Sequence, residues 1–445
     1  MKIGLFTDSY FPQISGVATS IQTLMIELKR QGHQVYIFTT TDSNADLDHE
    51  ADNIIRLQSI PFVSLAERKI VVKGAFAAFQ IAQNYHLDII HTQTEFGMGI
   101  LGKLVANQLQ IPVIHTLHTK YEDYLHYIAK GRLIRPPMVK YIIRNFLRGT
   151  EGVICPSEMV LETVNSYNVE QEKRVIPTGI EVEKFKRDDI SDDDVVKLRE
   201  ELGISDDESM ILSLSRIAPE KNIQAVISAM PEIIKSDNVK LVIVGDGPYL
   251  QNLKDLALSS NLTAHVIFTG RVENDKTAYY YKAADYFISA STSETQGLTY
   301  LEALAAGTRV LATENPYLSD LINDVEFGRL FANDDEIPAV VHQALAEKHP
   351  IDQVKFDEKL YEISAEKFGQ EVLSFYQDTI EAYNKRNDEK RETISGKMEL
   401  NLRGLPLKAA KNLRREQIRS KYLMKKAIKL TKNLQNYGKI EDEKD

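Results

Sequence analysis

Two patterns of apolar residues alternate along this chain. Short apolar runs stand at residues 2–8, 34–40, 88–92, 112–117 and 152–157, and the stretches between them place apolar residues every three or four positions. A short continuous run reads as a strand buried on both faces, and the longer spacing as a helix lying across it. The helix predicted over 16–31 stops at Gly32, a residue suited to the left-handed turn that closes helices. The alternation pauses at 177–179, and the polar, acidic stretch 188–194 reads as a linker. It restarts with predicted strands at 210–216, 240–245, 266–270, 285–290 and 310–313. The expected fold class is α/β: two Rossmann-like, doubly wound domains of about six parallel strands each. A long amphipathic helix is predicted over 366–384, and beyond it apolar residues recur at loosely helical spacing among basic ones.

Chemistry is expected where strands end and helices begin, because open α/β sheets bind ligands beyond the carboxyl ends of their strands. Residues 291–303 (STSETQGLTYLEA) join a predicted strand to a predicted helix. Seven residues separate Glu294, in the loop, from Glu302, inside the helix, which is about two helical turns. The backbone N–H groups of Gly297 and Leu298 open that helix and attract an anion such as a nucleotide phosphate. The same residues also describe an ordinary helix with an acidic start. In SRIAPEKN (215–222), Arg216 and Lys221 flank a helix start and supply a fork and a point charge suited to a diphosphate. In TDSYFPQISGV (7–17), Gly16 sits where a helix begins and permits close approach of a phosphate or sugar. There is no GxGxxG, so Asp42 after the second strand does not make a nicotinamide dinucleotide site. His118 follows the strand at 112–117 and faces the expected cleft; His115 three residues earlier projects from the other side of the strand, which argues against a shared metal. The turn Gly245-Asp246-Gly247-Pro248 is a close-approach loop or plain turn chemistry.

Composition narrows the class. The 445 residues carry a net charge of −10, yet residues 397–439 hold 13 Lys/Arg and two acidic residues, leaving the remainder at −21. An acidic body with a basic tail points to an anionic surface as partner. The single cysteine, Cys155, forbids an internal disulfide and fits a reducing compartment. The N-terminus reads as a first strand rather than a signal peptide, and no apolar run approaches the roughly 18–20 residues of a membrane span.

Together, the SGV loop at 15–17, His118, the Arg216/Lys221 pair and Glu294-x7-Glu302 resemble the retaining glycosyltransferases of family 4, which have the GT-B fold. The resemblance covers roughly residues 1–385. It implies two Rossmann-like domains facing a central cleft: 1–187 on the acceptor and membrane side, rejoined by a helix at about 366–385, and 188–365 on the nucleotide-sugar side. Residues 386–445 remain as a basic amphipathic tail. It also implies roles. Arg216 and Lys221 would hold the diphosphate of a UDP-sugar, Glu302 the ribose, and Glu294 with Gly297 and Leu298 the transferred sugar and phosphate. Val272 would frame the uracil, Gly16 would approach the diphosphate, and His118 would line the acceptor side, with His118, Glu294, Arg216 and Lys221 as the catalytic set. No metal or other cofactor is expected, since two cations already face the phosphates and no Asp-x-Asp pair at a strand end demands one. One departure stands out: many members carry Phe-Gly where this chain has Gln296-Gly297, so Gln296 bonds either the sugar or the loop.

Residues 124–148 contain Lys130, Arg132, Arg135, Lys140, Arg144 and Arg148, no acidic residue, and tyrosine and aliphatic residues between them. Such a segment suits an anionic membrane surface. The combination looks like family members of Gram-positive bacteria that add a glucose to diacylglycerol for glycolipid and lipoteichoic acid anchor synthesis. The implied reaction moves glucose from UDP-glucose to the 3-hydroxyl of 1,2-diacylglycerol, at the cytoplasmic face of the cell membrane. Alternatives are a second-step transferase acting on a monoglucosyl lipid or a soluble glycan, a sugar-nucleotide epimerase of the same fold, and a nucleic-acid-binding protein using the tail. No nucleic-acid partner is expected, because the body is acidic and the tail contains no recognisable reader.

Overall fold

The computed structural model describes residues 1–13, 15–47, 49–62, 65–71, 75–118, 136–291, 296–347 and 350–401. In chain order the first half holds strands β1 (Lys2–Phe6), β2 (Gln34–Thr40), β3 (Ile54–Leu57), β4 (Ser59–Phe62), β5 (Leu65–Val71), β6 (Ile89–Thr92), β7 (Val113–Thr116), β8 (Gly152–Cys155) and β9 (Glu172–Val175). Seven of them form a parallel sheet in the order β3-β2-β1-β6-β7-β8-β9, and β4 and β5 pair antiparallel apart from it. β1 is central: Ile3 and Leu5 align with Val35 and Ile37 on one side and Ile89 and His91 on the other.

The helices of this half are α1 (Gly16–Arg30), α2 (Ala75–Tyr85), α3 (Gly97–Leu109), α4 (Pro136–Leu147) and α5 (Glu158–Ser166), and the short α6 (Glu183–Lys186) that follows packs through Phe185 on the core of the second half. α2 and α3 bury Ala78, Ala82, Met98, Leu101 and Val105 against Phe6, Phe38 and Ile90. α4 and α5 bury Val139, Ile143, Val160 and Val164 with Val153 of β8. α1 covers the opposite face of β1 through Ile21, Leu24 and Leu28.

The second half contains β10 (Ser209–Leu214), β11 (Val239–Val244), β12 (Val266–Gly270), β13 (Tyr286–Ser289), β14 (Arg309–Thr313) and β15 (Gly328–Phe331). They form a six-stranded parallel sheet in the order β12-β11-β10-β13-β14-β15. Its helices are α7 (Asp192–Glu201), α8 (Ile223–Ile233), α9 (Leu250–Ser259), α10 (Thr277–Ala283), α11 (Leu298–Ala305), α12 (Pro316–Leu321), α13 (Ile337–Ala346) and α14 (Gln353–Glu362). α8, α9 and α13 bury one face of the sheet, and α10, α11 and α12 the other. Residues 188–194, read from sequence as a linker, include the Ser191 cap and first turn of α7, where Ser191 and Asp194 cap each other reciprocally.

The strands that the hydrophobic pattern missed are edges. β3, β9 and β15 each end a sheet, and β9 (EKRV) contains three charged residues. An edge strand has one side open to water, so it needs no continuous apolar run.

Two crossings join the halves. Ile180 bridges Ser364: the Ile180 N–H donates to Ile363 O at 2.9 Å and the Ala365 N–H to Ile180 O at 2.7 Å. A last helix, α15 (Ala365–Asn401), begins there. Its Phe368, Val372, Phe375 and Tyr376 return to the first sheet and lie buried with Ile3, Leu5 and Ile21. Burying each such side chain contributes about 1.5–3 kcal/mol. By backbone packing the chain divides into Met1–Glu381, which holds both sheets, and Ala382–Asp445. Of the second unit, residues 382–401 are helical, and the rest of the basic tail lies outside the described residues.

Candidate active site

The loops after β10, β11 and β12 are stitched together at their carboxyl ends. The Ser215 N–H donates to Val244 O at 3.1 Å, the Ile217 N–H to Asp246 O at 2.9 Å, and the Gly245 N–H to Gly270 O at 2.9 Å. The glycines of Gly245-Asp246-Gly247 are required by this stitching. A Cβ on Gly245, at φ +139°, would stand 1.9 Å from Ser215 O, and one on Gly247 would stand 2.1 Å from Ile217 O. The close approach predicted for this turn is therefore to the protein's own backbone, and it fixes the segment carrying Arg216. Arg216 is exposed and pairs with Glu220 at 2.6 Å. Lys221 closes the short 3-10 turn Pro219–Lys221, and Asn222 (φ +50°) turns the chain into α8. The Ser291 hydroxyl, just past β13, donates to Glu220 O at 3.3 Å. The cationic turn thus lies against the loop that leads to α11. Gly297 caps α11 at φ +77° without a capping side chain, and Leu298 is the first helical residue. Glu302 is one turn further in and accepts from the Tyr281 hydroxyl at 2.8 Å. Burial pushes its carboxyl up to about 7, against the lowering effect of that hydrogen bond. Val272 and Leu298 pack on the same apolar cluster as Tyr281 and Leu301.

On the first sheet, the carboxyl ends of β1, β6 and β7 hold a buried polar cluster. Asp8 accepts from Met98 N–H at 3.0 Å and from the Thr94 hydroxyl at 2.5 Å, which anchors the start of α3. His118 meets Gln93 Oε1 through Nε2 at 2.7 Å, and His115 meets Glu95 at 3.2 Å. Burial, with His115 nearby, lowers His118 to about 4, so the imidazole is neutral at physiological pH. The Gln93 Nε2 is buried and has no partner among the described residues. Gly16 opens α1, whose Ser15 cap accepts from Ala18 N–H at 3.2 Å. A Cβ built on Gly16 would meet no atom within 4 Å. The sequence pattern did not single out Gln93-Thr94-Glu95, although three polar residues directly after an apolar strand are a readable signal.

Comparison with known proteins matches each half to a family model. The family described as Glycosyltransferase Family 4 matches residues 14–184, and Glycosyl transferases group 1 matches residues 194–363. An alpha-monoglucosyldiacylglycerol synthase of Streptococcus pneumoniae is 55% identical over 397 residues, covering 89% of this chain and 90% of that protein. This chain belongs to glycosyltransferase family 4. The enzyme of the same description from Acholeplasma laidlawii is 32% identical over 88% of this chain and all of that protein. The Anabaena protein HepE, solved with UDP, superposes with a TM-score of 0.63 at 17% identity over 88% of this chain and all of HepE, which shows the shared GT-B fold.

In this family 4 member Gln296 bonds the loop. Its Oε1 accepts from Thr178 N–H at 2.8 Å and its Nε2 donates to Thr178 O at 2.6 Å. Of the predicted donor-side residues, the structure brings Arg216, Lys221, Gly297, Leu298, Glu302 and Val272 to the carboxyl-end side of the second sheet, while Gly16 and His118 lie at the corresponding end of the first. Glu294, Lys130, Arg132 and Arg135 lie outside the described residues. Lys140 and Arg144 lie on α4 and Arg148 just after it.

Proposed function

We propose that this chain transfers glucose from UDP-glucose, with retention of configuration, to the 3-hydroxyl of 1,2-diacylglycerol at an anionic membrane surface. Residues 1–187 would serve as the acceptor half and 188–365 as the donor half. The observation that carries the donor reading is the hydrogen-bonded junction of the Arg216–Lys221 turn with the Ser291 loop beside the start of α11 at Gly297. The names of the two relatives support glucose and diacylglycerol as substrates.

In this reading Arg216 and Lys221 neutralise the diphosphate, and the α11 amides at Gly297 and Leu298 add their partial positive charge. Glu302 accepts from the ribose hydroxyls, Val272 lies beside the uracil, and Gly16 leaves room for the diphosphate from the first half. Glu294 holds the glucose. Neutral His118 hydrogen-bonds a substrate hydroxyl rather than taking a proton. The acceptor attacks from the face that the leaving diphosphate vacates, through an oxocarbenium-like state, and its proton passes to that diphosphate.

The acceptor reading rests on the outer surface of the first half. α2, α3 and α4 contain Lys103, Lys140 and Arg144 and no acidic residue, in a chain with net charge −10. They expose Phe76, Ile100, Leu104, Met138, Tyr141 and Ile142 at 47–71% of their surface. Apolar side chains among cations, without acids, suit the boundary of an anionic bilayer. No described helix is long and apolar enough to cross a membrane; in this reading the exposed apolar and basic surface makes the attachment, peripherally and on the cytoplasmic face.

The test is a radiolabelled transfer assay with UDP-glucose or UDP-galactose and with diacylglycerol or monoglucosyldiacylglycerol in vesicles, with and without anionic lipid. Product from UDP-glucose and diacylglycerol, rising with anionic lipid, is expected. Product from the monoglucosyl lipid alone would move the enzyme to the second step, and no lipid product would overturn the acceptor.

A further inference from the structure

We infer that Gln296 is a positioning residue that locks the donor-side loop to the acceptor half through Thr178, and so sets the geometry in which the two halves meet a shared donor. This rests on the transferase reading above.

The residues form one continuous hydrogen-bonded path. The Gln296 carboxamide takes both backbone groups of Thr178, N–H at 2.8 Å and C=O at 2.6 Å, with Gln296 and Thr178 each 5% exposed. A planar amide presents an acceptor and a donor side by side, so one side chain replaces a neighbouring strand. The Thr178 hydroxyl lies 3.0 Å from the Ser20 hydroxyl, on the first turn of α1 after Gly16. Thr178 lies two residues before Ile180, where the two crossings bridge each other. A Cβ on the intervening Gly179 would stand 2.1 Å from Ser364 O, so the crossings meet backbone to backbone.

The position of the path gives it a function beyond cohesion. Gln296 precedes the α11 cap by one residue and follows Glu294 by two. Ser20 is one turn from Gly16. The path therefore joins the starts of α1 and α11, the two helix N-termini assigned to the donor. Sequence separations of 118 and 158 residues are bridged within two side chains. Removing the carboxamide leaves a buried N–H and a buried C=O unpartnered, and frees the α11 start to move relative to α1.

The test uses the full chain and the variants Gln296→Leu, Ser20→Ala and the double variant. The measurements are melting temperature, UDP affinity, kcat and KM for UDP-glucose, and hydrogen exchange of the Thr178 amide. Gln296→Leu is expected to speed Thr178 exchange at least tenfold and to lower kcat at least tenfold, while UDP affinity changes by less than about threefold, since the UDP groups on the second half are untouched. Ser20→Ala should lower kcat by a smaller factor, and the double variant should match Gln296→Leu alone, because both break one path. Faster Thr178 exchange with unchanged kcat would make the contact structural only and overturn the inference; so would strictly additive losses in kcat. Should Gln296→Leu fail to fold, Ser20→Ala and Thr178→Val carry the same comparison, and unchanged kcat in both would overturn it. A wild-type chain that binds UDP but transfers no glucose overturns the proposed function instead, while Thr178 exchange still reads the contact.

Discussion

Two half-buried titrating groups, Glu302 and His118, pull stability in opposite directions with pH. Burial raises Glu302 to about 7 and lowers His118 to about 4. Between pH 4.5 and 7 folded Glu302 holds a proton that the unfolded chain has lost, so its contribution is present at acid pH and fades as pH rises through 7. Between pH 4 and 6.5 the unfolded chain binds a proton that folded His118 refuses, so its contribution is present above 6.5 and is lost on acidification. Each amounts to at most about 3.5 kcal/mol at roughly 1.4 kcal/mol per pH unit, so in the intact protein they largely cancel. Denaturation from pH 7 to 5 should show Glu302→Gln losing more stability than wild type and His118→Gln losing less. Parallel curves would refute the burial assigned to both. Binding follows the same logic: ribose hydroxyls need an ionised acceptor, so UDP affinity should weaken below pH 7 in wild type and lose that dependence in Glu302→Gln.

At the level of elements, the glycines separate packing from ligand space. Gly245 lies at φ +139° with its missing Cβ 1.9 Å from Ser215 O, whereas Gly16 begins α1 with nothing within 4 Å of that position. Gly245→Ala therefore combines backbone strain with a clash and should cost about 2–4 kcal/mol, read as a lower melting temperature. Gly16→Ala should leave the melting temperature level or raise it, since alanine is the better helix former by up to about 1 kcal/mol. It should nevertheless raise KM for UDP-glucose, because the added methyl enters the space assigned to the diphosphate. An unchanged KM would remove Gly16 from the donor site.

Over the whole molecule, charge is segregated: a basic stretch at 397–439 in a chain whose remainder is strongly acidic, and α2, α3 and α4 without acids on the first half. In the proposed reading the basic stretch is drawn to an anionic bilayer, and electrostatic attachment of this kind weakens within a Debye length of about 8–10 Å at moderate salt. Deleting residues 397–445 should weaken binding to anionic vesicles more than it slows turnover of a short-chain, soluble acceptor. Equal losses would mean that the segment is needed for the fold.

The sequence alone was enough for the two α/β halves, because strands buried on both faces are mostly apolar, as residues 3–6 of β1 and 241–244 of β11 are. It also located Arg216, Lys221, Gly297 and Glu302 at or near helix starts that follow strands, since such junctions are visible in order and composition. Edge strands β3, β9 and β15 escaped it, as one open side removes the need for apolar residues. The partners of Gln296, the Glu220 contact of Ser291 and the His118–Gln93 pair were decided by tertiary structure. Each joins residues from different strands or halves, and no local pattern records which distant backbone a buried amide will meet.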